Sequence, residues 1–177
     1  LTEKKITLVK GRLNKIIKTK GYDSFRAYYD AVLADSSGKE LLELVDRIST
    51  NHTYFYREGD HFSVLRSQIL PELIENGRIQ DMNDLRLWCA GCASGEEAYT
   101  LAMELKEYSR ERMQNPSRVI LATDISLTAL ENAQRGEYPA ERLRELSTEK
   151  RSRYFQLTDS GTYRVKDDLR SLILYKR

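Results

Sequence analysis

Soft metal ligands are scarce in this chain, which has two cysteines and two histidines among its 177 residues. Cys89 and Cys92 form a C-x-x-C, the spacing of a redox pair or of half a zinc site. No second pair exists, and His52 and His61 are poorly spaced as partners, so no metal site and no disulfide are expected. Long apolar runs are missing too: none approaches the roughly 20 residues that cross a bilayer, and no signal peptide is present. The expectation is a cytoplasmic protein without membrane insertion, in which the glycosylation sequon Asn51-His52-Thr53 has no meaning. An excess of one charge is also lacking. Lys and Arg number 29 against 27 Asp and Glu, a net of +2, which does not suggest nucleic acid as a partner. Internal repeats and low-complexity tracts are absent. What remains is an ordinary globular composition, 40% hydrophobic, in a chain long enough for one domain or two small ones.

The first part of the chain reads as helix. Ile6, Val9, Leu13, Ile16 and Ile17 recur at helical spacing, and Gly21 follows as a stop. Phe25, Tyr28, Tyr29, Val32 and Leu33 make a second stripe, and Leu41, Leu44, Val45 and Ile48 a third. A small three-helix domain over residues 1–48 is expected. On the first helix Lys4, Arg12, Lys15 and Lys18 fall on one side of the apolar stripe. Such a row is either a solvated face or a dock for an acidic helical partner.

The most informative stretch is Trp88-Cys89-Ala90-Gly91-Cys92-Ala93-Ser94-Gly95-Glu96-Glu97. A short apolar run enters a glycine turn that opens a helix, which is where a doubly wound sheet holds a nucleotide-like cofactor. Gly91 and Gly95 are four apart and do not reproduce G-x-G-x-x-G. The helix also starts with two carboxylates, Glu96 and Glu97, which repel phosphate and attract a cation. S-adenosylmethionine carries a sulfonium and an ammonium and no phosphate, so this charge favours it over a dinucleotide. A reading without any ligand makes Ser94 an N-cap and Glu97 its capping-box partner.

Arg118 to Asp124 is a second buried-strand pattern ending in an acid, followed by a helical pattern through Leu127, Leu130 and Ala133. Strand, helix, strand, helix is the front half of an open parallel sheet. Asp124 stands where such folds grip ribose hydroxyls, or else caps a helix with Ser126. A helix through Phe62, Leu65, Ile69 and Leu73 leads to the first strand. Glu141 to Leu146 and Thr148 to Tyr154 read as short helical turns, Tyr163 to Val165 as a strand after the Ser160-Gly161 turn, and Leu172 to Tyr175 as a last strand.

Three motifs in order carry a resemblance: T-N-x-T-x-F-x-R-E from Thr50, G-C-x-S-G-E-E-x-Y from Gly91, and A-T-D-I-S from Ala122 with a following A-x-x-G-x-Y-P. Together they resemble the CheR-type chemotaxis methyltransferases, which methylate glutamates on bacterial chemoreceptors, and the similarity covers nearly the whole chain. The resemblance implies an α/β fold: a small N-terminal helical domain followed by a partial Rossmann-like S-adenosylmethionine-dependent methyltransferase sheet. It implies domains at 1–48 and 59–177, the latter truncated at its C-terminal end, with a linker at 49–58 contributing to the cofactor site. Asn51, Thr53, Arg57, Gly91, Glu97 and Asp124 would bind S-adenosylmethionine and its product S-adenosylhomocysteine, with Glu97 on the methionine amino group and Asp124 on the ribose. Arg57 is the residue it marks as catalytic. The partner implied is the set of cytoplasmic methylation helices of a chemoreceptor, met through Lys4, Arg12, Lys15 and Lys18. Ala93 before Ser94 and Ala98, where proline is frequent, depart from the commonest family pattern.

The chemistry stands apart from the resemblance. A glutamate carboxylate, with an unperturbed pKa of about 4.3, is ionised at neutral pH and needs no general base to attack a methyl carbon. Alignment is the task, and a planar guanidinium such as that of Arg57 can hold a carboxylate by one edge while leaving an oxygen lone pair free. Without the motif Arg57 would read as a surface arginine beside Glu58. A complete doubly wound cofactor domain needs about five strands, whereas two clear ones of the nucleotide-binding half precede Arg177. The remaining strands, further adenine contacts and any small β-subdomain are therefore expected after it. A non-catalytic signalling or cofactor-binding module on the same fold is the alternative, and a nicotinamide-dependent oxidoreductase is disfavoured by the acidic helix start.

Overall fold

The computed structural model describes residues 2–116 and 118–177, and the backbone alone of Lys4. Two compact units emerge: one takes in residues up to Thr50 together with 125–127, the other Asn51–Asp124 and Thr128–Arg177.

In the first unit three helices follow the three stripes: α1 (Glu3–Lys20), α2 (Phe25–Ala34) and α3 (Lys39–Ile48). Gly21 ends α1 in the left-handed region at φ +74°, letting the Tyr22 and Gly21 N–H groups donate back to the Ile17 and Lys18 carbonyls at 3.0 and 3.2 Å. Ser24 caps α2 by accepting from Ala27 N–H. Leu13, Ile16 and Ile17 of α1 meet Tyr28 and Val32 of α2 in a small apolar core, with Leu44 of α3 packed at its margin. Polar groups tie α3 down at both ends. The Asp35 carboxylate accepts from the backbone N–H of Ser37 and Glu40 ahead of it. At its far end the Arg12 guanidinium donates to the carbonyls of Ile48 and Ser49 and to the Thr50 hydroxyl. Lys20 bridges Glu40 and Glu43, and those two hydrogen bonds raise the lysine's pKa above its ordinary value.

The second unit opens with a continuous helical rod of α4 (Gly59–Val64), a π-turn (Leu65–Ile69) and α5 (Leu70–Glu75). Proline explains the π-turn. Pro71 has no N–H to donate and its ring crowds the carbonyl four residues back, so the preceding turn widens and Leu70 N–H donates to Leu65.

Beyond the rod the chain alternates β1 (Leu87–Ala90), α6 (Glu96–Arg110), β2 (Ile120–Thr123) and α7 (Leu127–Arg135). An insert comes next: β3 (Glu137–Tyr138), a 3₁₀ turn (Ala140–Leu143), α8 (Thr148–Tyr154), β4 (Phe155–Leu157) and β5 (Tyr163–Val165). The chain closes with α9 (Asp167–Arg170) and β6 (Ile173–Lys176).

β1, β2 and β6 form a parallel sheet in that order, with Cys89, Ala122 and Tyr175 in one register and Trp88, Leu121 and Leu174 in the next. Both crossovers step the same way across the sheet, so right-handedness puts their helices on one face. Cys89 and Ala122 are buried there, while Trp88 on the other face is 69% exposed. The parallel sheet thus has three strands, one more than the two counted in the nucleotide-binding half from sequence, because β6 returns to the side of β2 away from β1. β3, β5 and β4 make a separate antiparallel sheet in that order. A small β-sheet therefore stands inside the chain, between α7 and β6, whereas a small β-subdomain was expected only after Arg177.

Candidate cofactor and active site

β1 ends at a turn shaped by main-chain bonds. The N–H groups of Gly91 and Cys92 both donate to the Thr123 carbonyl at the end of β2, at 2.8 and 2.9 Å. Ala93, itself left-handed at φ +47°, donates its N–H to Asp124 Oδ2 at 2.8 Å. Asp124 thereby fastens the turn to the tip of the second strand. The two glycines have different reasons to be glycine. Gly91 takes φ +74° with open space where a Cβ would stand, whereas a Cβ on Gly95 would lie 2.8 Å from that of Ala133 in α7 and 3.1 Å from the Tyr138 hydroxyl. Open space over Gly91 is what a ligand lying across the end of β1 requires.

The capping box does not form. Gly95, at φ +96°, is the N-cap of α6 and its turn has no side-chain cap. Ser94 Oγ donates instead to Glu96 Oε2 at 2.7 Å, and the Arg142 guanidinium bonds Glu96 Oε1 and, at 3.2 Å, the Ser94 hydroxyl. Glu96 is fully buried. This corrects the charge argument made from the sequence. One of the two acids is neutralised by an arginine from the insert, and the field at the helix mouth comes from Glu97, which is exposed.

Across from Glu97 lies the stretch between the two helical regions. Phe55, fully buried, stacks edge-on against Tyr138 and Phe155 with centroids at 5.1 and 5.5 Å, and Thr53 is buried as well. Tyr56 N–H donates to the Thr100 hydroxyl of α6 at 3.2 Å. Arg57 follows, flanked by Tyr56 at φ +59° and Glu58 at φ +56°. Its Nη1 donates to the His52 carbonyl at 2.9 Å, which fixes the guanidinium and leaves other donors of the fork open. Arg57 and Glu97 share a cleft of about 480 Å³ whose apolar wall includes Phe62, Leu65, Ile69 and Leu101. Of the residues singled out from sequence, this cleft unites Arg57 and Glu97. Gly91 and Asp124 sit together on the turn beside it. Asn51 is exposed and Thr53 is enclosed, and neither is among the residues lining that cleft.

The cysteines are buried. Desolvation and the nearby Glu97 carboxylate push the Cys89 thiol up, and Cys92 is pushed up to about 12, first by burial and then by Asp124. Both are thiols at neutral pH, and Cys89 donates to Glu97 Oε1 at 3.5 Å. Sequence reasoning missed Arg142, Glu104 and Lys150. A signal existed: Glu96, Thr100 and Glu104 recur every fourth residue on a helix whose apolar residues surround them, a spacing that puts three polar groups on one covered stripe.

Residues 51–177 match the family model described as CheR methyltransferase, SAM binding domain, and residues 1–49 match that described as CheR methyltransferase, all-alpha domain. This chain belongs to the CheR methyltransferase family. Among its relatives, a chemotaxis protein methyltransferase of Borreliella burgdorferi is 40% identical over the whole chain and 62% of its own length. Chemotaxis protein methyltransferase Cher2 of Pseudomonas putida is 35% identical, over 99% of this chain and 64% of its own. A chemotaxis protein methyltransferase of Listeria innocua is 33% identical over the whole chain and 63% of its own length. The chain therefore spans just under two thirds of these relatives. The CheR domain matched over 51–177 is one that binds S-adenosylmethionine, and it holds both the glycine turn and the Arg57 cleft.

Proposed function

We propose that this chain carries the cofactor-binding part of a protein-glutamate O-methyltransferase, the whole protein using S-adenosylmethionine to methylate glutamate side chains on the cytoplasmic helices of bacterial chemoreceptors. The observation that carries the reading is that Arg57 and Glu97 line one cleft. Bound S-adenosylmethionine supplies a methyl on a cationic sulfur, which passes to a carboxylate oxygen while the S–C bonding pair stays on sulfur, so no proton moves. Glu97 offers the carboxylate that a methionine ammonium would meet, and Asp124 the one for ribose hydroxyls. Gly91 keeps the floor of the site open, while Asn51 and Thr53 belong to the segment 49–58 that closes it from the other side. Arg57 holds the substrate carboxylate by one edge of its fork and aims an oxygen, a role in which positioning supplies several kcal/mol of the barrier.

On the docking side, the first unit contributes Lys15 and Lys18 as exposed cations on α1. The Lys4 side chain lies outside the described residues. Arg12 is committed to the end of α3, so its contribution to a partner is through the shape of that unit. Among the described residues no helix is long and apolar enough to cross a membrane, and the methylation helices would be met in the cytoplasm.

The test is transfer of radiolabelled methyl from S-adenosylmethionine to receptor, read as a base-labile ester. In the full-length protein Arg57→Ala should lower kcat by about 10²-fold or more with cofactor affinity little changed. An unaltered kcat removes Arg57 from the mechanism, and cofactor binding without any turnover in the wild type would leave a non-catalytic module.

A further inference from the structure

Glu104 lies two turns along α6 from Glu96, and its side chain is 7% exposed. Three elements converge on it. The Tyr56 hydroxyl donates to Oε1 at 2.6 Å, Lys150 Nζ of α8 reaches the same oxygen at 2.8 Å, and Arg66 of the π-turn stands 3.7 Å from Oε2. Lys150 also donates to the Tyr56 hydroxyl and lies 4.2 Å from the centre of its ring. Burial and the adjoining carboxylate push the Tyr56 phenol far above its ordinary pKa, so it stays a donor.

A buried ion pair is a poor device for stability alone, because desolvation offsets most of its attraction. Its placement shows what it can do instead. Tyr56 and Glu58 both occupy the left-handed region without being glycine, and such strain persists only where the surroundings over-determine it. Arg57 is the residue between them. The Tyr56 backbone is pinned by Thr100 and its side chain by Glu104 and Lys150. On its other oxygen Glu104 faces Arg66, one residue on from Leu65 in the cleft's apolar wall.

We propose that Glu104 is a positioning residue: through Tyr56 it holds the strained turn that presents Arg57, and through Arg66 it keeps the facing helical wall in register with that turn. The kinetic part of this proposal rests on the reading of Arg57 given above. The structural part does not.

In the full-length protein Tyr56→Phe removes one hydroxyl and Glu104→Gln removes the charge while keeping the shape. Amide exchange at Tyr56 and Arg57 should rise by about tenfold or more in both variants, while exchange in β1 and β2 stays as in the wild type. For methyl transfer, kcat should fall about tenfold with KM for S-adenosylmethionine changed by less than about threefold. Tyr56→Phe should cost nothing further once Arg57→Ala is present, because it acts through that arginine. Unchanged exchange at Tyr56 and Arg57 overturns the proposal, and so does a Tyr56→Phe penalty equal with and without Arg57. Should the wild type transfer no methyl, the methyltransferase reading fails, while the exchange measurement still decides whether Glu104 holds the turn.

Discussion

A carboxylate at the first position of a helix reads as a charge offered to solvent or ligand, and Glu96 is neither. It is enclosed, with its oxygens taken by Ser94 and Arg142. The pair is electrically close to neutral, so its removal from one side should cost more than its presence gains. Arg142→Met should destabilise the protein by about 2–3 kcal/mol, less than for a fully enclosed pair because Arg142 is 38% exposed. Adding Glu96→Gln should recover at least half of that, which urea unfolding of the single and double variants measures. A double variant no more stable than Arg142→Met would mean that the arginine matters for its packing and not for the charge. The same residues show why the sequence overstated the acidity of the turn. Two adjacent glutamates are legible, but the arginine that silences one of them is 46 positions away.

At the scale of elements, the helices were legible and the small strands were not. The stripes of α1, α2 and α3 run long enough for a 3.6-residue period to show, and the glycine after α1 falls where a left-handed cap is needed. β3 and β4 are two and three residues long, too short for any alternation to declare itself, so the sequence reading found β5 without its partners. The π-turn was equally hidden, since the proline that causes it lies after the turn it deforms. Of the site, the paired positions of Arg57 and Glu97 followed from motif order, whereas the Glu104 anchor depends on contacts across 48 and 46 residues.

One prediction belongs to an element: the entry to α3. Asp35 accepts from the Ser37 hydroxyl and from the N–H groups of Ser37 and Glu40, and these bonds hold its carboxyl below the usual carboxylate range. A depressed folded pKa contributes stability above the unfolded value of about 3.9. That contribution is lost as the pH falls through the folded value. Thermal unfolding of Asp35→Asn should therefore differ from wild type at neutral pH and converge with it in acid. Parallel curves across the whole range would show that the carboxylate's charge plays no part there.

On the scale of the whole chain, both crossovers sit on one side of the parallel sheet. Trp88, the single tryptophan, stands on the other side with Leu121 and Leu174 beside it in register. Its indole N–H donates to the Thr123 hydroxyl, yet 69% of the residue meets solvent. The 177-residue chain should show the emission of a solvated indole, open to collisional quenching by iodide. A blue-shifted, unquenched band would mean that this face is covered. Repeating the measurement at the length of the relatives reports on the same surface without any added probe.

The insert between α7 and β6 supplies two of the groups that shape the glycine turn: the Tyr138 hydroxyl, which donates to the Ser94 carbonyl at 2.7 Å, and the guanidinium of Arg142. It is therefore no cassette. A protein engineer who exchanged it for the equivalent stretch of another enzyme, hoping to alter only what that small sheet touches, would be rebuilding the floor of the cofactor pocket with the same cut.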